Sequence, residues 1–262
     1  MAVFAVGMCK NEVDIAEPVL RHMATQVDHI IAADNGSTDG TRELLDHLST
    51  ELPMTVIDDP DPAYYQSRKM TQLARMAAEH GAEWVVPHDY DEIWYCPHAA
   101  TIADHLTGLD RYSIAEAELY DHVPTTEDDQ SDTNPTTRIG WRRRDRGALR
   151  KVACRTHDDL VIEQGNHGAN YGRWKGRAAH RQLVVRHFPY RTADQFVAKA
   201  KQGGAAVALT DLPEQSGAHW RQYAAIAAGD GDDALAAVFA QWFHSAAPRS
   251  DPTLIYDPAP VA

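Results

Sequence analysis

The sequence is poor in cysteine and has no long run of apolar residues. Its 262 residues include three cysteines, Cys9, Cys96 and Cys154, and no C-x-x-C spacing. This pattern predicts no cysteine metal site and is typical of buried or idle thiols in a reducing compartment. The apolar stretches are short and interrupted by charge, so we predict no integral membrane segment.

Positive charge is also scarce. Lys and Arg number 25 against 38 Asp and Glu, which gives a net charge of −13 and excludes a general nucleic-acid-binding role. The N-terminus lacks the basic start and the small-residue cleavage site of a signal peptide. We therefore expect a cytoplasmic protein that does not bind nucleic acid.

The basic residues that are present concentrate between Arg138 and Arg155, a stretch that we name the basic segment. Its members are Arg138, Arg142, Arg143, Arg144, Arg146, Arg150, Lys151 and Arg155. One interpretation is an exposed basic loop. The other is a flexible loop that orders over a bound diphosphate or an acidic acceptor and excludes water. The sequence favours neither.

The first part of the chain, about 90 residues long, alternates between strand and helix patterns. Apolar runs of strand length cover residues 3–8, 29–33, 54–57 and 84–87. Helical patterns cover residues 14–26, 41–48 and 66–80. This alternation predicts an α/β domain with a mainly parallel sheet.

Polar clusters follow three of these predicted strands. They are residues 10–12 after the first strand, 34–40 after the second and 89–92 after the fourth. In such sheets, ligands bind outside the carboxyl ends of the strands. Three polar clusters at one edge of the sheet therefore indicate a site.

Asp89 and Asp91 are the strongest candidates in these clusters. On an extended strand end, residues two apart point the same way, with roughly 6–7 Å between their Cα atoms. Two carboxylates so placed can share a hard divalent cation such as Mg²⁺ or Mn²⁺, which can stabilise the charge of a departing diphosphate. A D-x-D alone is a weak signal, because acidic turns are common. Its place after the strand at residues 84–87 favours the metal site.

Asp34 stands at the end of the second predicted strand. Residues 35–40 are turn formers and can connect the strand to the next helix. Asp34 lies one residue earlier than a helix cap requires, where its carboxylate can accept a hydrogen bond from a nucleobase N–H. The two roles are compatible.

Several motifs, taken in order, resemble a known enzyme family. Residues 10–12 (KNE), 30–41 (IIAADNGSTDGT) and 84–92 (WVVPHDYDE) are similar to the successive signatures of family 2 glycosyltransferases of the GT-A fold. More narrowly they resemble a bacterial branch whose aspartate motif reads D-x-D-E. Residues 165–167 (GNH) and 187–191 (HFPYR), with Gln195, Phe196, Lys199 and Gly203, also match that branch. The resemblance covers roughly residues 3–205.

The resemblance implies a GT-A architecture, that is, a mixed, mainly parallel sheet flanked by helices. It implies a glycosyltransferase domain over residues 1–205, with a nucleotide-binding half at 1–92 and an acceptor half at 93–205. We expect residues 206–262 to form a helical C-terminal extension and tail. Gly203-Gly204, just before this region, is predicted to end one helix; two further helices follow, and the proline-containing tail packs loosely.

The same resemblance implies roles for the nucleotide-binding residues. Asp34 would hold the nucleobase, and Glu12 would lie near the base or the ribose. Arg68 and Lys69 would approach the base or the phosphates. Asp89 would contact both ribose and metal.

The metal site and its cofactor are implied in the same way. Asp91 would be the main protein ligand of an Mn²⁺ or Mg²⁺ ion, with Asp89 beside it. His167 resembles the later histidine that often completes the coordination sphere. His187 is either functional or a buried, hydrogen-bonded residue that orients the site.

Inversion at the sugar carbon requires a base that takes the proton of the acceptor, normally a carboxylate. Glu116 and Glu118 lie on one face of a strand-like stretch at residues 112–120, and Asp121 lies at its end. A solvated strand face is the alternative interpretation for the two glutamates. The sequence does not choose among the three carboxylates.

The favoured hypothesis is a metal-dependent glycosyltransferase that uses a UDP- or GDP-linked sugar donor, with inversion by direct displacement. One alternative is a metal-dependent hydrolase or nucleotidyltransferase built on His88, Asp89, Asp91 and His98. Another is a non-catalytic module that binds nucleotide-sugars. The sequence indicates neither the acceptor nor the oligomeric state.

Overall fold

An eight-stranded mixed sheet is the centre of the computed structural model, which describes residues 1–173 and 176–260. The strands are β1 (Ala2–Cys9), β2 (His29–Asp34), β3 (Met54–Asp58), β4 (Ala82–Pro87), β5 (Glu92–Tyr95), β6 (Ile114–Asp121), β7 (Trp141–Arg143), β8 (Arg150–Arg155), β9 (Val161–Ile162), β10 (Ala169–Asn170), β11 (Ala178–His187) and β12 (Leu254–Tyr256). The helices are α1 (Ala16–Gln26), α2 (Thr41–Leu48), α3 (Gln66–Glu79), α4 (Ile102–Thr107), α5 (Pro135–Arg138), α6 (Ala193–Ala208) and α7 (Ala218–Trp242).

The strand order in the large sheet is β3-β2-β1-β4-β8-β6-β11-β5. Strands β1 to β4 run parallel to one another, and β6 runs parallel to β11. β8 is antiparallel to both β4 and β6, and β5 is antiparallel to β11. The predicted architecture, a mixed and mainly parallel sheet flanked by helices, is confirmed.

The first strands are apolar because both faces of the sheet are covered. One face packs against α1 and α2, which contribute Leu20, Met23, Leu45 and Leu48 to the core. The other face packs against α3 through Met70, Leu73 and Ala77. Parallel strands buried on both faces carry continuous apolar runs rather than alternating patterns, and the fully buried Val3, Ala5 and Val6 of β1 follow this rule.

The prediction that Gly203-Gly204 ends a helix is wrong. Helix α6 continues through both glycines to Ala208, so the predicted boundary at residue 205 falls inside it. A Cβ atom at Gly203 would lie 2.4 Å from Trp220, and one at Gly204 would lie 2.5 Å from Cβ of Ala224. The two glycines therefore allow α7 to pack closely against α6, and they do not cap the helix.

The C-terminal extension is helical, as predicted, but its tail does not pack loosely. Gly231 adopts a φ of 82° and breaks α7 between the two helices expected from the sequence. Strand β12 then pairs with β7. Asp257 forms ion pairs with Arg142 at 2.5 Å and Arg186 at 2.8 Å, and Ala259 is buried. Residues 261–262 of the predicted extension lie outside the described residues.

No helix in the described ranges combines the length and the apolar character that crossing a membrane requires. The predicted cytoplasmic location and the division at residue 205 stay predictions.

His22 of α1 gives a prediction about stability. Its Nε2 lies 2.7 Å from the carbonyl oxygen of Trp94, and burial lowers its pKa from the usual range. The imidazole of His22 therefore binds a second ring proton less readily in the folded chain than in the unfolded chain. Neutral His22 stabilises the fold above about pH 6.5, and this stabilisation is lost as the pH falls below that value. When the pH is lowered from neutral to mildly acidic, we expect the melting temperature of His22→Gln, which can still donate to Trp94, to fall less than that of the wild type. An equal fall in the melting temperatures of both proteins, measured by thermal unfolding, would contradict this prediction.

Candidate functional site

The register of the sheet brings the ends of seven strands to one edge. Cys9 pairs with Asp34, and Val6 pairs with Pro87, so the residues that follow β1, β2 and β4 meet there. β8 runs the opposite way, and its first residues therefore reach the same edge. Asp121 at the end of β6 pairs with His187 at the end of β11.

The pairing of β11 with β5 brings the residues after β4 next to the end of β11. His187 pairs with Glu92, the first residue of β5, directly after the D-x-D motif. A cavity of about 410 Å³ lies at this edge. Its lining includes five residues predicted from the sequence, Glu12, Asp89, Asp91, Asp121 and His167.

Asp89 is fixed by three partners. Its Oδ1 accepts hydrogen bonds from Gln66 Nε2 and Asn166 Nδ2, each at 3.1 Å. Its Oδ2 lies 2.5 Å from Nζ of Lys151. The carboxylate is therefore held at the cavity wall before any ligand binds.

Asp91 lies deeper and is surrounded by cations. Its Oδ2 is 2.6 Å from Nζ of Lys199, and its Oδ1 is 3.6 Å from Nε2 of His187. Burial alone would raise the pKa of Asp91, but Lys199, His187 and Arg191 together hold it well below its usual range. Asp91 is therefore ionised and paired with basic side chains at the bottom of the cavity.

His187 connects Asp91 to Asp121. Its Nδ1 lies 2.7 Å from Oδ1 of Asp121. Burial opposes protonation of the ring, but Asp91 and Asp121 outweigh it and raise the pKa of His187 to about 9. Both roles left open for this histidine, a functional contact and an orienting one, are compatible with this position.

Glu92 and Lys151 form a buried ion pair beneath the motif. Lys151 Nζ lies 2.8 Å from Oε1 of Glu92, and both side chains are almost fully buried. Glu92 Oε2 also accepts from the backbone N–H of Asp89 and from the indole N–H of Trp94. Burial alone would lower the pKa of Lys151, but Asp89 and Glu92 raise it above its usual range. Glu92 therefore fixes the backbone that carries the two aspartates.

Glu12 connects the segment after β1 to the loop after β11 and to α6. It forms ion pairs with Arg191 at 2.6 Å and with Lys199 at 2.8 Å. Arg191 also bonds Asp14. Because Lys199 contacts both Glu12 and Asp91, it links the first and third polar clusters.

Asp34 carries an unused acceptor. Its Oδ2 accepts from the backbone N–H of Ser37, whereas its buried Oδ1 has no hydrogen-bond partner among the described residues. Asp34 does not itself line the large cavity, but its neighbour Asn35 does. A buried acceptor without a partner is costly, and a ligand N–H can satisfy it.

Arg68 and Lys69 lie outside the cavity and bond to the loop after β3. Arg68 pairs with Asp61 at 2.5 Å and lies over the ring of Tyr65. Lys69 pairs with Asp59 at 2.6 Å and also donates to the carbonyl of Asp61. The structure therefore places both next to the loop that holds Asn35, and their predicted contacts with a nucleotide stay predictions.

His167 lines the cavity on a turn that requires glycine. Its Nδ1 lies 2.8 Å from the carbonyl oxygen of Arg150. Gly165 has a φ of 76°, and a Cβ there would lie 2.5 Å from Nε2 of His167. Burial and the nearby Lys151 lower the pKa of His167. A neutral imidazole is the form that binds a metal ion or accepts a hydrogen bond.

The three candidate bases occupy different surroundings. Glu116 pairs with Arg150 and His180 at 2.6 Å each, and Glu118 lies near Arg146 and Arg181. These two glutamates are not among the residues that line the cavity. Asp121 does line it, and its side chain is 45% exposed. Burial alone would raise the pKa of Asp121, but its hydrogen bond to His187 and the charge of that ring lower it.

The basic segment is not a loop along its whole length. It contains β7 and β8, and most of its arginines bond elsewhere. Arg142 holds Asp257, Arg144 bonds the carbonyl oxygens of Pro252 and Leu254, and Arg150 bonds Glu116. Of the whole segment, Lys151 is the cation that meets the D-x-D motif.

A group that could hold a metal ion lies within the described residues. Ligand atoms of Asp91, Glu92 and His187 are within 4.8 Å of one another. This group shares Asp91 with the predicted set of Asp89, Asp91 and His167. No local pattern around His187 indicates this arrangement, because it depends on the pairing of β11 with β5.

The sequence matches no known family profile and no curated protein sequence. Solved structures that resemble the chain include residues 1–349 of TarS from S. aureus in complex with UDP. That chain is 13% identical, the match covers 86% of this chain and 70% of that one, and the TM-score is 0.44. The same protein in complex with UDP-GlcNAc is 13% identical over 86% and 71% of the two chains, with a TM-score of 0.45.

Sequence reasoning gave no individual role to several residues that the structure places in the cavity or beside it. Lys151 and Lys199 neutralise its carboxylates, and Arg191 supports Glu12. Trp220 and His219 of α7 form part of its wall. Lys151 had one available signal, because it directly precedes the apolar run of residues 152–154 and so stands inside a strand.

Proposed function

We propose that this chain is a metal-dependent glycosyltransferase that transfers a sugar from a UDP- or GDP-linked donor to an acceptor, with inversion. The observation that supports this best is the cavity itself. One edge of the sheet brings together the ionised Asp91, the fixed Asp89 and a further carboxylate, Asp121, that is open to a substrate. This is the combination that displacement of a nucleoside diphosphate requires.

The donor would lie along the edge from β2 toward β6. Asp34 Oδ1, which is buried and unpaired within the described residues, can accept from the N–H of a uracil or guanine base. Asp89 would contact the ribose, and Glu12 would lie beside it. The resemblance to family 2 glycosyltransferases of the GT-A fold, with residues 89–92 as the D-x-D-E motif, supports the same orientation.

Asp91, Glu92 and His187 offer two carboxylates and an imidazole within 4.8 Å, a donor set that suits Mn²⁺ better than Mg²⁺. A cation there would have to replace the proton of His187, whose pKa is raised to about 9, and the contact of Lys151 with Glu92. Such an ion would neutralise charge on the departing diphosphate. It has to share Asp91 with Lys199, whose Nζ lies 2.6 Å away. Asp89 and His167 remain the alternative partners of Asp91 in this role.

Asp121 would act as the base. The hydroxyl oxygen of the acceptor attacks the anomeric carbon, and Asp121 takes the hydroxyl proton as the new bond forms. The bond between that carbon and the diphosphate oxygen breaks, and its electron pair leaves with the diphosphate. His187, bonded to Asp121 at 2.7 Å, would keep the carboxylate oriented toward the cavity.

Thermal unfolding with nucleotides tests this function. We expect UDP or GDP to stabilise the chain in the presence of Mn²⁺, by about 2.7 kcal/mol when the nucleotide is at about 100 times its Kd. We expect little effect when a chelator removes the metal. No stabilisation by any nucleoside diphosphate with Mn²⁺ would overturn the proposal. Rapid loss of donor to water that no acceptor suppresses would favour a hydrolase instead.

A further inference from the structure

A second cavity, of about 310 Å³, lies beside the first. The two share Asp121, His187, Pro189, Tyr190 and His219 as lining residues. The candidate base therefore stands at the junction of two cavities. A group that enters the second cavity can reach Asp121 from the side that a donor in the first cavity leaves open.

Aromatic side chains from α7 and the loop after β11 form much of the wall of this second cavity. Tyr190, Tyr223, Trp242 and Phe243 line it, and the rings of Tyr190 and Phe243 lie 4.4 Å apart. Trp242 is 61% exposed. A large aromatic ring at the mouth of a cavity, backed by packed aromatics, is a surface on which the apolar face of a sugar ring can stack.

Arg143 supplies a positive charge to the same cavity. Its guanidinium donates to Oγ1 of Thr253 at 3.0 Å and to the carbonyl oxygen of Trp242 at 3.1 Å. Both are uncharged atoms, and within the described residues Arg143 forms no ion pair. Its neighbour Arg142, in contrast, is paired with Asp257 at 2.5 Å. A guanidinium oriented by neutral atoms is suited to a planar or tetrahedral anion.

Asp121, a carboxylate of the cavity lining, is close enough for the charge of Arg143 to help lower its pKa, but the two form no ion pair. Asp121 Oδ1 bonds His187 at 2.7 Å instead, so the guanidinium of Arg143 stays open to a ligand. On a chain with a net charge of −13, a lining arginine that forms no ion pair with any described residue is a local exception. It favours an anionic ligand over a neutral one.

We propose that the second cavity is the acceptor site and that the acceptor is a carbohydrate carrying an anionic group. This inference rests on the proposed function, since it takes Asp121 as the base. The sugar ring lies against Trp242, the anionic group meets Arg143, and the hydroxyl that reacts faces Asp121. A carboxylate and a phosphate share the chemistry that Arg143 recognises.

Matched sugars test the charge. p-Nitrophenyl glucuronide and p-nitrophenyl glucoside differ at one carbon, which carries a carboxylate in the first and a neutral hydroxymethyl group in the second. Glucose 6-phosphate provides the phosphate counterpart. With Mn²⁺ and UDP present, ligand-detected NMR titration is expected to show that at least one of the two anionic sugars binds about tenfold or more tightly than the glucoside.

Two arginine variants assign the preference to a residue. Arg143→Gln is expected to remove the preference for the anionic sugar and to leave binding of the glucoside within about twofold. Arg144→Gln is the matched control, because Arg144 bonds the carbonyl oxygens of Pro252 and Leu254 and does not line the cavity. It should keep the preference. Trp242→Ala is expected to weaken the binding of all three sugars by a similar factor.

The outcomes separate this inference from the proposed function. If the wild type binds nucleotide with Mn²⁺ but binds no anionic sugar more tightly than the glucoside, the acceptor proposal fails alone. It also fails if Arg143→Gln keeps the preference. If the wild type binds no nucleotide in the presence of Mn²⁺, the proposed function fails, whether or not the sugars bind.

Discussion

Replacing Asp91 with asparagine is expected to reduce sugar transfer about 100- to 1,000-fold, the size of loss that follows removal of one electrostatic contact to a transition state. Asp91 is buried, ionised and shared by Lys199 and His187. An amide keeps the shape of the side chain but removes the charge that a divalent cation needs. Steady-state kinetics should show the loss in kcat/KM for the donor, and Mn²⁺-dependent nucleotide binding should weaken in parallel.

Asp257→Asn is a matched control for this variant. Asp257 is also held by two basic side chains, Arg142 at 2.5 Å and Arg186 at 2.8 Å, but it does not line the large cavity. We expect it to lower thermal stability while transfer stays within about twofold, since a broken ion pair away from the site costs folding energy alone. Full activity in Asp91→Asn would rule out Asp91 as the centre of the metal site.

The two histidines can be separated in the same assay. If Asp91, Glu92 and His187 hold the cation, His187→Asn weakens Mn²⁺ binding more than His167→Asn does. The reverse order would support the set predicted from the sequence, Asp89, Asp91 and His167. Either result identifies the third ligand, because the two histidines reach the cavity from different elements.

The fold of residues 1–92 was readable from the sequence because its signals are local. Each polar cluster directly follows an apolar run, and parallel strands bring their carboxyl ends to one edge. Glu12, Asp34, Asp89 and Asp91 could therefore be placed together from their positions relative to the strands. The turn and helix patterns between the strands are equally local.

The contacts that the cations of the site make could not be predicted in this way. Lys151 reaches Asp89 because β8 pairs antiparallel with β4, and His187 reaches Asp91 because β11 pairs with β5. These pairings join residues that are far apart in the sequence and carry no short-range pattern. The glycines of α6 were misinterpreted for a related reason, since their packing against Trp220 and Ala224 depends on a second helix.

Arg68 and Lys69 were expected to approach the base or the phosphates of a nucleotide. Both lie near the base end of the proposed nucleotide site, yet each bonds the loop after β3, to Asp61 and Asp59. That loop also accepts hydrogen bonds from Asn35. Their predicted contacts with the nucleotide stay predictions, and the geometry favours an indirect role through Asn35.

Replacing Asp121 with asparagine is expected to lower kcat by about 100- to 10,000-fold, the usual contribution of a positioned general base. Asp121 is the candidate base that lines both cavities, and its carboxylate is ionised. Asparagine cannot take the proton of the acceptor hydroxyl. Because Asp121 is not one of the proposed nucleotide contacts, the stabilisation by UDP or GDP with Mn²⁺ should remain close to that of the wild type.

Glu116→Gln and Glu118→Gln are the controls that decide among the three carboxylates. They lie on the same strand, remove the same charge and face away from the cavity, toward Arg150 and Arg181. We expect both to retain transfer within about threefold, because ion pairs whose basic partner is exposed contribute little. If one of them abolished transfer while Asp121→Asn stayed active, the base would lie on the outer face of β6. The acceptor would then have to enter from that face, and the second cavity could not be its site.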